Sequence, residues 1–490
     1  MSDVTSGSSS VELIFIASPG IGHLVSTVEI AKRMISRNER LQVTVLIMML
    51  PFDSTVKAYA KSLAYSHTER IRFFEVVADD ASSGFDGSKN YLSLFIESQK
   101  PFVKKTALQL VHNRSFTDPK LGGFVVDMFC TAMIDVASEL GFPSYVYFTS
   151  NASFLGLMFH LQELRDEEGV DVTQYRDSDA EFQLGRRFRH PIPASVLPSV
   201  VLDKDGASKL FLDHAKKFRQ AKGILVNTMM ELESFAVESL EIENHSPKIY
   251  PVGPILNLQN DSNEDSKAKE SEILKWLDQH PPSSVVFLCF GSLGSFGPAQ
   301  VSEIARGLEA SGKRFLWSLR RPPPENKVAF PTEYDNLEGV LPEGFLTRTS
   351  ELGKIIGWAP QVSVLAHRAI GGFVSHCGWN SILESMWFGV PIATWPMYAE
   401  QQVNAFEVVK ELGIAVEIRL DYRKDYRMQT ENVVSAEEIE RGVRCLMEED
   451  SEVRRKMKEM KEVSRVVMRE GGSSYAWLGR FIDDMMENAA

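Results

Sequence analysis

The chain has 490 residues, 44% hydrophobic and 24% charged, with 53 Lys and Arg against 66 Asp and Glu, a net charge of −13. That length exceeds one ordinary core and predicts two or three domains, while the apolar fraction excludes wholesale disorder. The acidic balance argues against a nucleic-acid backbone or an acidic membrane surface as partner.

Cys130, Cys289, Cys377 and Cys445 lie far apart with no C-x-x-C pair, which predicts free thiols in a reducing compartment. The opening MSDVTSGSSS has no basic n-region, and the apolar run behind it is only strand-length. No later stretch reaches a bilayer span, so a cytoplasmic protein without membrane insertion is expected.

In chain order, LIFIA (13–17) reads as a buried strand, followed by the turn SPGIGH. Leu24, Val28, Ala31 and Ile35 then recur at helical spacing, and LQVTVLIM (41–48) completes a βαβ unit. The theme continues with a strand at 123–127 (GFVVD), a helix at 131–140 closed by Gly141, and strands at 145–148 (YVYF) and 223–227 (GILVN). The polar stretch NLQNDSNEDSKAKE (257–270) breaks it and suits an exposed linker. Alternation restarts with strands at 285–290, 314–319, 371–374 and 390–394 and helices at 299–310, from Trp379, and over 401–411. Residues 321–340 read as a Pro-rich surface loop and 435–470 as charged and helical.

Strands alternating with helices predict parallel sheets covered on both faces. The expected class is α/β, with two doubly wound Rossmann-like domains facing across a cleft. The expected boundaries are an N-terminal domain over 1–256, the linker 257–270, a C-terminal domain over 271–470, and a closing helix at 471–490 that packs back on the N-terminal domain.

Open α/β sheets bind ligands at the carboxyl ends of their strands, and three sites stand there. His23 follows the turn SPGIGH, which lacks the third Gly of a dinucleotide fingerprint; a lone His there is more often structural than catalytic. Asp127 ends an otherwise apolar strand, where Asp is also a common turn residue. Together they say more, because an Asp that accepts from one imidazole nitrogen leaves the other as a proton acceptor.

The third site is the densest. VVFLCF runs into GSLGS (291–295), and SHCGWNSILES (375–385) carries a strand into a helix start with His376, Gly378, Asn380 and Ser381. Backbone N–H groups and hydroxyls at such turns suit a diphosphate, although Asn and Ser are also ordinary caps. His376–Cys377 with His367 gives no metal-ligand spacing, and the D-x-D triplets Asp177–Asp179 and Asp203–Asp205 read as solvated loops.

The 44 residues from Trp358 to Gln401, with WAPQ, HCGWNS-x-x-E and a terminal E-Q, resemble the signature box of plant secondary-product glycosyltransferases, the UDP-dependent family 1 enzymes. GHL (22–24), VVDMF (125–129), WLDQHPPSSVVFLCFGS (276–292) and LPEGF (341–345) extend the resemblance over both halves. It implies a GT-B fold, with the acceptor in the N-terminal half and the UDP-sugar in the other. His23 is then the general base and Asp127 its orienting carboxylate. Trp358 stacks on uracil with the Ala359 backbone at its edge, and Gln361 and Glu384 hold the ribose hydroxyls. Ser292, His376, Asn380 and Ser381 hold the diphosphate, while Thr149, Trp379, Glu400 and Gln401 meet the sugar.

The implied reaction is inverting transfer of glucose from UDP-glucose, as co-substrate, to a hydroxyl of a flavonoid, other phenolic or terpenoid, giving a β-glucoside. No further cofactor and no metal is implied, and a monomer is expected. FRHPIPASVLP (188–198) is placed near the acceptor pocket. Two readings stay open beside this one: a metal-dependent glycosyltransferase using a D-x-D pair, and a UDP-sugar-binding protein without transferase activity.

Overall fold

The computed structural model describes residues 10–50, 53–65, 69–77, 91–115, 118–184, 187–242, 246–258, 264–324, 330–424 and 433–489. Linker residues 259–263 and residues 325–329 of the Pro-rich stretch lie outside them. The strands are β1 Val11–Ala17, β2 Leu41–Ile47, β3 Ile71–Glu75, β4 Lys120–Asp127, β5 Ser144–Phe148, β6 Glu181–Phe182, β7 Ile192–Pro193, β8 Gly223–Val226, β9 Lys248–Pro251, β10 Val285–Cys289, β11 Arg314–Ser318, β12 Gly353–Ile356, β13 Ile370–Ser375, β14 Ile392–Thr394 and β15 Ala415–Glu417.

Two compact units result: Met1–Glu168 with Lys209–Asn257 and Val467–Ala490, and Gly169–Ser208 with Leu258–Val466. The first holds a parallel sheet of order β3-β2-β1-β4-β5-β8-β9; the second holds one of order β12-β11-β10-β13-β14-β15. Their central strands are buried throughout, which is why they read as near-continuous apolar runs such as LIFIA and VVFLC. Each sheet reverses its direction of growth beside its first strand, between β1 and β4 in one unit and between β10 and β13 in the other. Crevices form at those switch points.

The boundaries differ from the sequence reading, by a few residues at 467–470, which fall in the first unit, and more widely in two other places. Residues 169–208 group with the second unit, so FRHPIPASVLP sits there. The Glu411 carboxylate accepts from the N–H groups of Arg189 and His190 and from the His190 ring, and Arg423 donates to Ser199 Oγ at 3.0 Å. Such an excursion, built from 3₁₀ turns and the β6–β7 hairpin, carries no long periodicity to read. The linker is also shorter than 257–270, because the helix Glu264–Leu277 starts inside it. Residues 267–269 and 271–272 are exposed and share a linker's composition, and only later does the helix bury Ile273 and Leu277.

The last helix, Ser473–Ala489, belongs to the first unit. Phe481 packs edge-on against Tyr145 and Tyr250, with centroids at 5.0 and 5.2 Å, and Asp484 accepts from the Tyr250 hydroxyl at 2.6 Å. The helix expected over 401–411 is α-helical over Gln401–Phe406 and continues as a π-turn over Glu407–Glu411. No described helix is long and apolar enough to cross a membrane.

Candidate active site

At the first switch point, β1 ends at Ala17 and the chain turns through Gly20, whose φ of +117° suits glycine, into the helix Ile21–Arg37. His23 lies in that helix's first turn. β4 ends on Asp127, one strand away. His23 Nδ1 is 2.8 Å from Asp127 Oδ2, and the other carboxylate oxygen accepts from the Phe129 N–H at 3.0 Å. A carboxylate only accepts, so the imidazole proton sits on Nδ1 and Nε2 is left as a base. The Asp127 side chain is fully buried while His23 keeps 27% of its surface exposed, which is the disposition a proton acceptor needs.

Thr149 Oγ1 lies 3.4 Å from the same Nδ1. Its place is fixed by the helix Ala152–Asp166, which Asn151 caps through the Phe154 N–H. Glu233, 81 residues away and buried, adds bonds from the Ala152 and Ser153 N–H groups and the Ser153 hydroxyl. A negative group at a helix N-terminus is favourable, but nothing in the sequence joins these two segments. Phe129 stands between two imidazoles, 5.3 Å from His23 and 6.2 Å from His214. His214 is a different kind of histidine: it pairs with Thr131 Oγ1 at 2.7 Å, and burial pushes it down to about 4.

At the second switch point the Gly-rich loop after β10 and the helix start after β13 meet, in register Cys289↔Ser375. Gly291 has φ +74°, and a Cβ there would come within 2.6 Å of His376 Nε2; one on Gly378 would come within 2.7 Å. These glycines therefore make room for an imidazole as well as freeing backbone N–H groups. His376 is buried, with no partner at Nδ1, and burial pushes it down to about 4. It is neutral at ordinary pH and keeps one polar atom unsatisfied.

Gly378 precedes the helix Trp379–Phe388, so Asn380 and Ser381 stand in its first turn and Trp379 is buried at its start. Gln361, opening the helix Gln361–Ala366, donates from Nε2 to Ser381 Oγ at 2.9 Å and to Glu384 Oε2 at 2.7 Å. Burial pushes the Glu384 carboxyl up to about 7. Ala359 is buried, whereas its neighbour Trp358 is 53% exposed. Beside Ala399, left-handed at φ +56°, Glu400 is partly exposed and Gln401 is buried. Gln401 spends its amide oxygen on the Met397 and Tyr398 N–H groups, at 3.0 and 3.1 Å.

Sequence reasoning missed Arg320 at this site. Its guanidinium lies 5.1 Å from the Trp358 ring centroid and donates to the Ser292 carbonyl at 3.1 Å and to the Pro331 carbonyl. Its position just past β11 was the available signal. Asp203 corrects the reading of solvated D-x-D loops: it is buried, and Oδ1 accepts from the Asp205 and Ala207 N–H groups ahead of the helix Ala207–Phe218. A short Asp caps its own turn, and that is what the doublet does here. Among the described residues no three His, Cys, Asp or Glu side chains gather as a metal would require.

Comparison with known proteins was decisive for the family. The family model described as UDP-glucoronosyl and UDP-glucosyl transferase matches residues 215–440. The chain is 55% identical over 482 residues to UDP-glucose flavonoid 3-O-glucosyltransferase 6 of Fragaria ananassa, covering 97% of this chain and 98% of that one. It is 50% identical over 469 residues to anthocyanidin 3-O-glucosyltransferase 1 of Manihot esculenta, covering 95% and 100%. Among solved structures, a UGT transferase of Siraitia grosvenorii in complex with UDP matches with TM-score 0.86 at 48% identity, over 97% of this chain and all of that one. Medicago truncatula UGT71G1 complexed with UDP-glucose matches with TM-score 0.84 at 42% identity, over 99% and 100%. The paired parallel-sheet units are thus those of a GT-B fold, and the chain belongs to the plant UDP-glycosyltransferases of family 1.

Proposed function

We propose that this enzyme transfers glucose from UDP-glucose to a hydroxyl of a flavonoid or related phenolic, with inversion, to give a β-glucoside. The observation that carries the reading is the His23–Asp127 pair at 2.8 Å, with the imidazole partly exposed and the carboxylate buried. His23 Nε2 takes the acceptor's hydroxyl proton as that oxygen forms its bond to the anomeric carbon. The bond from that carbon to the β-phosphate oxygen breaks, and UDP leaves with the electron pair. Asp127 holds the tautomer and offsets the charge that develops on the ring.

The donor is held by the second unit. Trp358 offers an open indole face to uracil, with Ala359 at the base edge, and Gln361 and Glu384 bond the ribose. Ser292, His376, Asn380 and Ser381 receive the diphosphate at two loop ends, where the unpartnered His376 Nδ1 supplies a neutral donor and the helix start adds N–H groups. Thr149, Trp379, Glu400 and Gln401 meet the glucosyl group, Gln401 through Nε2 because its oxygen is engaged. The names of the relatives from Fragaria and Manihot support glucose and a flavonoid-type acceptor. We further propose that the enzyme works as a monomer. We place it in the cytoplasm, in keeping with four free thiols.

The test is product mass, from purified protein incubated with UDP-glucose and a panel of flavonols, anthocyanidins, simple phenols and triterpenoids, with and without EDTA. One added hexosyl group on a flavonoid, undiminished by EDTA, is the expected result. UDP binding without any product would sink the transferase reading, and product lost to EDTA would favour a metal-dependent route.

A further inference from the structure

The helix after β14 holds a side chain that the donor box does not include. Asn404 is fully buried, and its Nδ2 donates to the Cys377 carbonyl at 2.9 Å and to Glu400 Oε1 at 3.4 Å. Those two acceptors sit at unusual places. Cys377, one residue ahead of the Gly378 cap, is left-handed at φ +63°, a region that side-chain-bearing residues avoid. Its own N–H is taken by Ser375 Oγ at 3.1 Å, so the peptide on either side of the strained residue is held by a side chain. Glu400 follows Ala399, also left-handed at φ +56°. Backbone strain of this kind persists only where the surroundings over-determine it.

We propose that Asn404 is a positioning residue that sets the diphosphate-binding helix start and the Glu400 carboxylate as one unit, so that recognition of the glucosyl group over UDP alone depends on it. The proposal rests on the reading above, in which Glu400 meets the sugar and the helix start meets the diphosphate. Asn404 touches neither ligand group; it acts through the Cys377 carbonyl and Glu400. The residue type fits the task. Its amide nitrogen carries two N–H donors for two acceptors, and an Asp could donate to neither. Position 404 also stands one helical turn from 400, on the same face.

The experiment is calorimetric titration of the full chain with UDP and, separately, with UDP-glucose in the absence of acceptor. For Asn404→Ala, affinity for UDP-glucose relative to UDP is expected to fall about tenfold, as for a lost bond to a charged group. Asn404→Ser keeps one hydroxyl donor and is expected to lose less; it also decides the matter if the Ala variant does not fold. UDP affinity itself is also expected to fall in Asn404→Ala. Adding Cys377→Gly is expected to restore it, because glycine holds φ +63° freely, without restoring the preference for the sugar.

A wild-type UDP-glucose to UDP ratio in the folded Asn404 variants would overturn the proposal, whatever their melting temperatures. Failure of Cys377→Gly to restore UDP binding would overturn its helix-start half. Glu400→Ala separates the two levels: if that variant keeps the wild-type ratio, the sugar-contact reading has failed. If it lowers the ratio and the Asn404 variants do not, only the role of Asn404 falls.

Discussion

His23 and His376 both stand where a parallel sheet reverses its strand order, one past the end of β1 and the other past the end of β13. In the first unit the imidazole keeps part of its surface exposed and has a buried carboxylate on Nδ1. In the second it is enclosed between Gly291 and Gly378, has no partner at Nδ1, and is pushed down to about 4 by burial alone. On the reading proposed above, the same topology and the same side chain give a proton acceptor in one crevice and a neutral donor in the other. Partner and exposure decide the chemistry, and the fold supplies only the place.

The comparison breaks most easily at its first member. His23→Ala is expected to lower kcat by roughly 10²–10⁴-fold, the usual contribution of a positioned base, while UDP affinity stays at its wild-type value. Asp127→Asn should act in the same direction by removing the acceptor that fixes the tautomer. His376→Gln is the counterpart: it should weaken UDP binding yet retain the acid limb of the kcat/KM pH profile, because a ring near 4 stays neutral across the working range. Stopped assays from pH 5 to 9 on the three variants check this. An acid limb that vanished in His376→Gln and survived in the residual activity of His23→Ala would reverse the assignment.

What was legible beforehand follows from burial. The strands read from sequence, such as β1, β4, β10 and β13, are enclosed on both faces and spell apolar runs. Those missed include β3, β9, β12 and β15, the outermost strands of the two sheets. β3, with IRFFE only partly buried, has neither a clean run nor a clean alternation. Site residues divide likewise. Those between 358 and 401 are contiguous and chemically distinctive, so a single window shows them. Arg320, Asn404 and Glu233 act through one to three bonds apiece to segments distant in sequence, and composition near them is ordinary. The grouping of 169–208 with the second unit depends on contacts such as Glu411 with His190, 221 residues apart.

Within the second unit, Trp358→Ala should reduce UDP affinity by about 1–3 kcal/mol, the range for a base stacked on an aromatic ring. Equilibrium titration of UDP measures it, and an unchanged affinity would remove the uracil platform. A smaller, pH-dependent effect belongs to Glu384. Burial pushes its carboxyl up to about 7, and ribose hydroxyls donate more strongly to the ionised form, whose oxygens carry the full charge. Binding therefore pulls the group below 7 and releases a proton, so affinity rises as pH increases through 7. Calorimetry in two buffers of different ionisation enthalpy reads that proton directly. The diphosphate's own titration is common to both proteins, so the comparison is with Glu384→Gln, which should lose the Glu384 share.

Arg320 should give the smallest effect and the sharpest test of how the donor crevice is built. Its guanidinium lies over Trp358 and is tied to the Ser292 carbonyl, so it touches the surroundings of both the base and the diphosphate. Burial lowers its pKa with no carboxylate bonded to it among the described residues, a cost that is offset by the carbonyl bonds and the indole face. Arg320→Ala should weaken UDP by about 0.5–2 kcal/mol, the range for a cation over an aromatic ring. If the guanidinium works by holding the indole, that loss disappears when Trp358 is already Ala, and the double-mutant cycle shows a coupling of about 0.5–1 kcal/mol. If the losses simply add, Arg320 acts through the Ser292 loop instead. Arg320→Lys then discriminates further, since an ammonium keeps the charge over the ring but not the planar fork that reaches two carbonyls at once.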